Sequence, residues 1–189
     1  MISSWDLPTR LKIGDEEYDI RSDYRDILNV LIAFDDPDLT AVEKQYVCLT
    51  NIYPDFDKMP SDLYEEAYKQ AVWFIDLGRE KSAKAGADRR LVDWEQDASL
   101  IFSAVNKVAG REIRADRYLH WWTFMGYFLE MKDSVYAVIL GIRGKRSKGK
   151  PLEKWEKEFW SANKGICQLR TKLTDEEKAE KERLKALLG

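Results

Sequence analysis

The most constraining feature of this 189-residue chain is a segment that is apolar around almost its whole helical circumference. From residue 118 to residue 129, apolar side chains point in nearly every direction around a helix axis. Only His120, Thr123 and Glu130 form a narrow polar stripe. A helix of this kind is either central to a protein core or covered by a partner. The pattern therefore predicts a helix over residues 116–131 whose surroundings bear directly on function.

Composition is typical of a folded, water-soluble protein. The chain is 44% hydrophobic and 34% charged. Its longest apolar run, residues 135–142, is less than half of the roughly 20 residues that a membrane span requires. The N-terminus has no basic segment followed by an apolar one, so we expect no secretory signal. Cys48 and Cys167 form neither a CxxC pair nor a disulfide framework, which favours buried or free thiols in a reducing cytoplasm.

The net charge of −3 is unevenly distributed along the chain. Residues 1–78 carry 7 basic and 17 acidic side chains, whereas residues 141–173 carry 10 basic and 3 acidic ones. Such polarity favours oriented association with a partner or with another copy of the chain. It argues against simple nucleic-acid binding, because the acidic half repels phosphate.

Local patterns predict one hairpin followed by a series of helices. Alternating apolar and polar residues on both sides of Gly14 predict a β-hairpin over residues 11–20. Ser22 is the expected cap of the first helix, and Thr40 with Glu43 forms a capping box that opens the second. The predicted helices cover residues 22–34, 40–52, 61–78, 93–109, 116–131, 134–143, 151–163 (with Pro151 in the first turn) and 174–189.

The chain is therefore predicted to be mainly α, a multi-helix domain with a small N-terminal β-hairpin and a charged C-terminal helix. Residues 1–78 contain the hairpin and the first helices, and residues 79–90, rich in Lys, Ala, Gly and Arg, are a linker or flexible loop. Residues 91–173 form an aromatic-rich helical region packed with the first segment as one domain, interrupted by a basic loop at 144–150. Residues 174–189 form a charged tail helix.

The sequence contains no motif of an assembled active site. His120 is the single histidine, and no cysteine or second histidine lies at metal-ligand spacing from it. Neither a G-x-S-x-G nucleophile motif nor a G-x-x-x-x-G-K-[ST] phosphate loop is present. We therefore expect a non-enzymatic protein without catalytic, metal-binding or cofactor-binding residues. The alternative is an enzyme that uses His120 with Glu95 or Asp97.

Two sets of residues are candidates for structural or partner contacts. We expect Glu95 or Asp97 to accept a hydrogen bond from His120, forming a polar cluster that fixes helix packing. On the fourth helix, Glu95 is expected near the boundary of the apolar face and Asp97 further toward solvent. Contact with a partner is the other role open to this cluster. Aromatic side chains are candidates for an apolar partner-binding surface, although one of two adjacent tryptophans is expected to lie in the core. These candidates are Trp121, Trp122, Phe124, Tyr127, Phe128 and Trp155.

Aromatic residues also lie among lysines and arginines in residues 143–157. Bases stack on aromatic rings while cations bind phosphates, so this region leaves a nucleic-acid interface open. The helical spacing of Trp155, Phe159 and Trp160 favours a buried stripe instead, flanked by lysines whose charged ends reach solvent.

Two segments resemble the bacteriophage gene-product-15 family, which is encoded in the tail regions of long-tailed phages. They are D-W-E-Q-D-A-S-L-I-F at residues 93–102 and L-H-W-W-T-F at residues 119–124, about twenty residues further along. Shorter similar pieces lie at residues 18–25 and 51–54, and the similarity covers roughly residues 7–170. The basic loop and the tail after Thr171 depart from the family pattern.

The resemblance implies a tail-assembly chaperone or adaptor. Such a protein holds the long, helical, aggregation-prone tape-measure protein in the host bacterial cytoplasm during assembly of the tail tube, and it is absent from the mature virion. The implied partners are the tape-measure protein, the tail tube protein, a companion chaperone and copies of the chain itself, with no membrane. The resemblance supplies no catalytic residues. The alternative is a phage nucleic-acid-associated or structural interaction protein that uses residues 143–157.

Overall fold

The computed structural model describes residues 6–79 and 90–188. Within them, a two-stranded hairpin precedes nine α-helices, which confirms the predicted mainly α fold. Strands β1 (Arg10–Ile13) and β2 (Glu16–Asp19) pair antiparallel, and Gly14 makes their turn with a φ of +60°. Residues 80–89, which make up most of the predicted linker, lie outside the described residues.

Nine α-helices follow the hairpin in the described residues. Their bounds are α1 Tyr24–Phe34, α2 Ala41–Ile52, α3 Tyr64–Ile75, α4 Ala98–Ala109, α5 Trp121–Glu130, α6 Val135–Ser147, α7 Lys154–Ala162, α8 Lys164–Cys167 and α9 Asp175–Leu188. Short 3₁₀ helices cover Phe56–Lys58, Ser61–Leu63 and Ile113–Ala115. The capping box of Thr40 with Glu43 is confirmed at α2, and Thr174 and Glu177 form another at α9.

The predicted first helix is correct, but its cap is wrong by one residue. The carboxylate of Asp23 accepts the backbone N–H of Arg25 at 2.9 Å, so Asp23 caps α1. Ser22 instead shares a hydrogen bond of 2.8 Å with the hydroxyl of Tyr118. The third helix is shorter than predicted, because its first residues form a 3₁₀ turn and Leu77 adopts a left-handed conformation after its end.

Two predicted helix starts in the second half are also wrong. α4 begins at Ala98 rather than at Asp93, because the Asp93 carboxylate accepts the backbone N–H groups of Glu95 and Gln96 and holds a turn there. α5 begins at Trp121 rather than at residue 116, and His120 is its cap.

The predicted basic loop at 144–150 is wrong for its first half. α6 continues through Gly144 to Ser147, because Arg143 and Arg146 both make contacts that keep this segment against the rest of the chain. The prediction that Pro151 lies in the first turn of the next helix is wrong as well. α7 begins at Lys154, after the capping residue Glu153.

One hydrophobic core includes side chains from both sides of residues 80–89. Among its largest fully buried members, Tyr24 of α1 stacks on Phe124 of α5 with ring centroids 4.8 Å apart. Trp121 stacks in turn on Phe124 at 5.7 Å. α5 is therefore the central helix of the core, as its apolar circumference allows. No helix in the described ranges is long and apolar enough to cross a bilayer.

Candidate functional site

The most buried polar site joins the start of α4 to α6. The Asp97 carboxylate accepts two hydrogen bonds from the Arg143 guanidinium, one at 2.5 Å from Nη1 and one at 2.9 Å from Nη2. The Tyr136 hydroxyl and the Asp93 backbone N–H donate to the same carboxylate at 3.0 and 3.1 Å. Burial, followed by the negative charge of Asp97, raises the pKa of the Tyr136 hydroxyl, which therefore keeps its proton.

Arg143 uses all five of its N–H groups in this site. Besides the two bonds to Asp97, Nε donates to the backbone carbonyl of Cys167 at 2.8 Å, Nη1 to that of Leu91 at 2.8 Å and Nη2 to that of Ile166 at 2.9 Å. A buried charge with no spare donor and a paired counter-charge has no capacity left for a ligand. We conclude that this site fixes α6 and α8 against the start of α4.

The predicted polar cluster of Glu95, Asp97 and His120 is wrong as a contact. Glu95 is exposed, and Asp97, which we expected toward solvent, is 1% exposed. The partner of Asp97 is Arg143, which lies 46 positions away in sequence. The spacing of residues along one helix cannot reveal a contact with a residue so far away in sequence. Arg143 itself belongs to a run of basic residues that suggested a solvated patch.

His120 has a structural role at the start of α5. Its Nδ1 accepts the backbone N–H of Trp122 at 3.0 Å, and its Nε2 lies 3.0 Å from the carbonyl oxygen of Pro8. The carbonyl oxygen cannot donate, so Nε2 carries the proton and the ring is neutral. Burial lowers the pKa of His120, which agrees with this neutral form. Both ring nitrogens are therefore engaged in capping and anchoring.

The two adjacent tryptophans bind the end of α3. Trp121 Nε1 donates to the carbonyl of Ile75 at 3.0 Å, and Trp122 Nε1 donates to the carbonyl of Phe74 at 2.9 Å. These carbonyls belong to the last turn of α3, and that of Phe74 also accepts the backbone N–H of Leu77 at 3.2 Å. The L-H-W-W-T-F segment therefore caps two helices at once: its histidine caps α5 and its indoles cap α3.

The predicted aromatic partner surface is wrong for three of its six residues. Trp121, Phe124 and Phe128 are buried and pack on other aromatic rings in the core, so they offer no surface. Trp122 and Tyr127 are partly buried against the same core. Trp155 alone of the six is strongly exposed, with 51% of its surface accessible.

The basic region 143–157 is divided between internal contacts and free charge. Lys145 pairs with Glu156 at 2.6 Å, and the Arg146 guanidinium lies over the Trp160 ring, 4.2 Å from its centroid. These contacts place α7 against the end of α6. The remaining cations are exposed and form no ion pair with any other described residue: Lys148, Lys150, Lys154 and Lys157.

A surface groove runs along α4 and consists of two adjoining hollows of about 230 and 150 Å³. The two share Ala104, Lys107, Asp133 and Ser134 in their walls. The first hollow extends to Leu100 and Tyr136, while the second extends to Val108, two helical turns further along α4 than Leu100. Val135 lies at the rim of the first hollow and is 55% exposed. We call this feature the α4 groove.

Groups that support metal or thiol chemistry do not come together in the described ranges. No cluster of three or more His, Cys, Asp or Glu side chains in residues 6–79 and 90–188 is placed to hold a metal ion. Cys48 and Cys167 are free and buried, and burial raises the pKa of Cys48 to about 12. A thiol with so high a pKa is an inert part of the core at neutral pH.

The fold and its polar sites thus define a mainly α protein whose buried charges serve packing and whose accessible features include charged surfaces and a groove of mixed polar and apolar character. The sequence model of the family described as Bacteriophage Gp15 protein matches residues 5–169. The chain therefore belongs to this phage protein family, as the resemblance indicated. Neither a curated protein nor a solved structure matches it.

Proposed function

We propose that this protein is a non-enzymatic tail-assembly chaperone or adaptor that holds the phage tape-measure protein while the tail tube is built. Its membership of a bacteriophage family supports a role in the phage, and the α4 groove is the observation that carries the proposal. The proposed place of action is the host cytoplasm, before the virion is complete.

The α4 groove offers apolar side chains from Leu100 to Val108, about two turns of α4, for one face of an amphipathic helix to contact. Its two hollows are offset along α4, so that apolar side chains one turn apart on a client helix enter successive hollows. Ala104, which both hollows share, is small enough to let a client backbone approach α4. A tape-measure protein, being long and helical, presents such anchors repeatedly, so several copies of the chaperone bind along it with avidity.

Polar groups at the groove rim match a helix with a charged outer face. Lys107 donates to the backbone carbonyl of Asp133 at 2.5 Å, which fixes the ammonium group beside the junction of the hollows. Glu130 lines the second hollow together with Lys107. Walls that combine apolar side chains with Lys107, Glu130 and Asp133 suit a helix that has one apolar face and charged flanks.

Co-expression with the tape-measure protein of the same phage tests the proposal. The unmodified chain is expected to increase the soluble fraction of the tape-measure protein and to co-purify with it. Val135→Asp places a negative charge in the groove at the N-terminus of α6, and Val108→Lys places a positive charge there near the C-terminus of α4. Each sign is the one that the helix dipole favours at that end. Each removes one buried apolar contact and is expected to weaken client binding about tenfold or more.

Leu184→Asp, at an exposed leucine of α9 outside the groove, is the matched control and is expected to bind the client like the unmodified chain. An insoluble tape-measure protein that never co-purifies with the unmodified chain would refute the chaperone role. Retention of the client by the unmodified chain and by both groove variants alike would refute the groove as its binding site.

A further inference from the structure

Residues 168–175, which we call the strap, are attached to the rest of the chain at two separate points. At the first point, the Gln96 side chain donates to one strap carbonyl and accepts one strap N–H, each at 2.9 Å. At the second point, the carboxylate of Asp38, in the loop between α1 and α2, accepts the backbone N–H of Asp175 at 2.8 Å. The strap therefore joins α8 to α9 and is anchored near both of its ends.

Between its two anchors the strap forms part of the wall of an open cleft of about 670 Å³. The rest of the lining comes from the end of α1, from the turn before α4 and from the first turn of α9. A space of this size holds many water molecules. The middle of the strap is therefore not packed tightly against the earlier part of the chain.

Charges of opposite sign line this cleft. The strap contributes Arg170 and Lys172, whereas the end of α1 contributes Asp36 and the turn before α4 contributes Glu95. None of these four side chains forms an ion pair with another residue in the described ranges. Unpaired charges of opposite sign attract each other through solvent, and dissolved salt screens that attraction.

The start of α9 is held by exposed charged contacts. Lys178 lies 3.9 Å from the Asp38 carboxylate, and the same carboxylate lies at the positive end of the α9 helix dipole. Every α9 side chain that the structure describes is exposed, including the apolar Leu184. Exposed charged contacts shift an equilibrium by about fivefold at most, so this attachment is weak.

We infer that the strap and α9 together form a latch over the cleft that opens and closes with ionic strength. In the closed state, which the structure shows, Asp38 holds the start of α9. In the open state this contact is broken, the strap turns about its anchor at Gln96, and the cleft loses one wall. The capping box of Thr174 with Glu177 lies within the moving segment, so the start of α9 remains capped in both states.

Backbone ¹⁵N NMR of the full chain tests this inference at about 0.1 M and about 1 M salt, between which the Debye length falls from about 10 Å to about 3 Å. At the lower salt concentration, the heteronuclear NOE values of α9 are expected to match those of the core helices. At the higher one, the ratio of closed to open chains is expected to fall about fivefold. The NOE values of residues 171–188 should then decrease, and the Asp175 amide should lose the downfield shift that its carboxylate bond causes.

The Thr40 amide is an internal control in the same spectra. It donates to the Glu43 carboxylate at 2.8 Å, the same length as the bond from Asp175 to Asp38, but it lies within the α2 capping box and outside the latch. Its chemical shift is expected to change little with salt.

Two variants test the two anchors separately. Asp38→Asn retains an acceptor but removes the charge, and at about 0.1 M salt it is expected to show the mobile α9 that the unmodified chain shows at about 1 M. Asp57→Asn, at an exposed carboxylate that does not line the cleft, is the matched control and is expected to match the unmodified chain. Gln96→Ala is expected to increase mobility at residues 168–171 while Asp38 still holds Asp175.

NOE values of α9 that stay at the level of the core helices both in 1 M salt and in Asp38→Asn would overturn the inference. So would an α9 that is already mobile in the unmodified chain at 0.1 M salt, because no closed state would then exist. The measurement involves neither a client nor the α4 groove, so its failure and that of the chaperone proposal are distinguishable.

Discussion

Replacing Arg143 by methionine probes the most buried ion pair among the described residues. Methionine retains the length and the apolar stem of the side chain but supplies none of the five donors that bond Asp97 and the carbonyls of Leu91, Ile166 and Cys167. The Asp97 carboxylate would then be buried with only the Tyr136 hydroxyl and one backbone N–H as partners.

The expected loss follows from this geometry. Breaking a buried ion pair by removing one partner costs about 3–5 kcal/mol, because a charge is left without compensation. We therefore expect Arg143→Met to lower the free energy of unfolding by at least about 3 kcal/mol. For a urea dependence of about 2 kcal/mol per molar, this lowers the midpoint by about 1.5–2.5 M. The seven tryptophans supply the fluorescence signal for the titration.

Two further variants decide whether the uncompensated charge is the cause. Arg10→Met makes the same replacement in the exposed pair of Arg10 with Asp19, where the expected loss is below about 1 kcal/mol. Adding Asp97→Asn to Arg143→Met removes the stranded charge while retaining an acceptor for Tyr136, so the double variant is expected to be more stable than Arg143→Met. Equal losses for Arg143→Met and Arg10→Met, or a double variant less stable than Arg143→Met, would refute the reasoning.

Two other predictions concern the L-H-W-W-T-F segment and its surroundings. Burial lowers the pKa of His120 in the folded chain, so as the pH falls the unfolded chain takes up a proton on this histidine before the folded chain does. The contribution of His120 to the free energy of unfolding is therefore complete above pH 6.5 and is lost as the pH falls below that value. His120→Asn retains a capping oxygen and is expected to show a smaller loss in urea midpoint between pH 7 and pH 5; an unchanged loss would contradict the assignment. Gly78→Ala is expected to destabilise by more than about 1 kcal/mol, since φ is +71° and the new Cβ would lie 3.1 Å from Trp73 and 3.3 Å from Trp122. Gly141→Ala, on an open face of α6, is expected to raise the free energy of unfolding by up to about 1 kcal/mol. Equal melting temperatures for the two glycine variants would contradict both predictions.

Features set by near neighbours in sequence were predicted well. The hairpin turn at Gly14, the capping box at Thr40 and the end of α4 at Gly110 each depend on residues within a few positions of one another. The central place of α5 also followed from the sequence, because a helix that is apolar all round has no face for solvent.

Features set by distant contacts were missed. Asp97 looked like a surface residue because the contact that buries it comes from Arg143 in another helix. The segment after Arg143 looked like a loop because its charges suggested solvent, yet the contact of Arg146 with Trp160 extends the helix. The same limit applies to His120, whose partner Pro8 precedes it by 112 residues.

The match to the family ends at residue 169, before the start of α9. At the boundary, Gln96 bonds the backbone on both sides, with its amide N–H₂ donating to Gln168 and its oxygen accepting from Arg170. Beyond residue 169, the start of α9 is attached through Asp38, which accepts the backbone N–H of Asp175 at 2.8 Å. The buried charges, the indole caps and the α4 groove all lie inside the matched range. The charged helix α9 lies beyond the match, and the contact at Asp38 anchors its first residue.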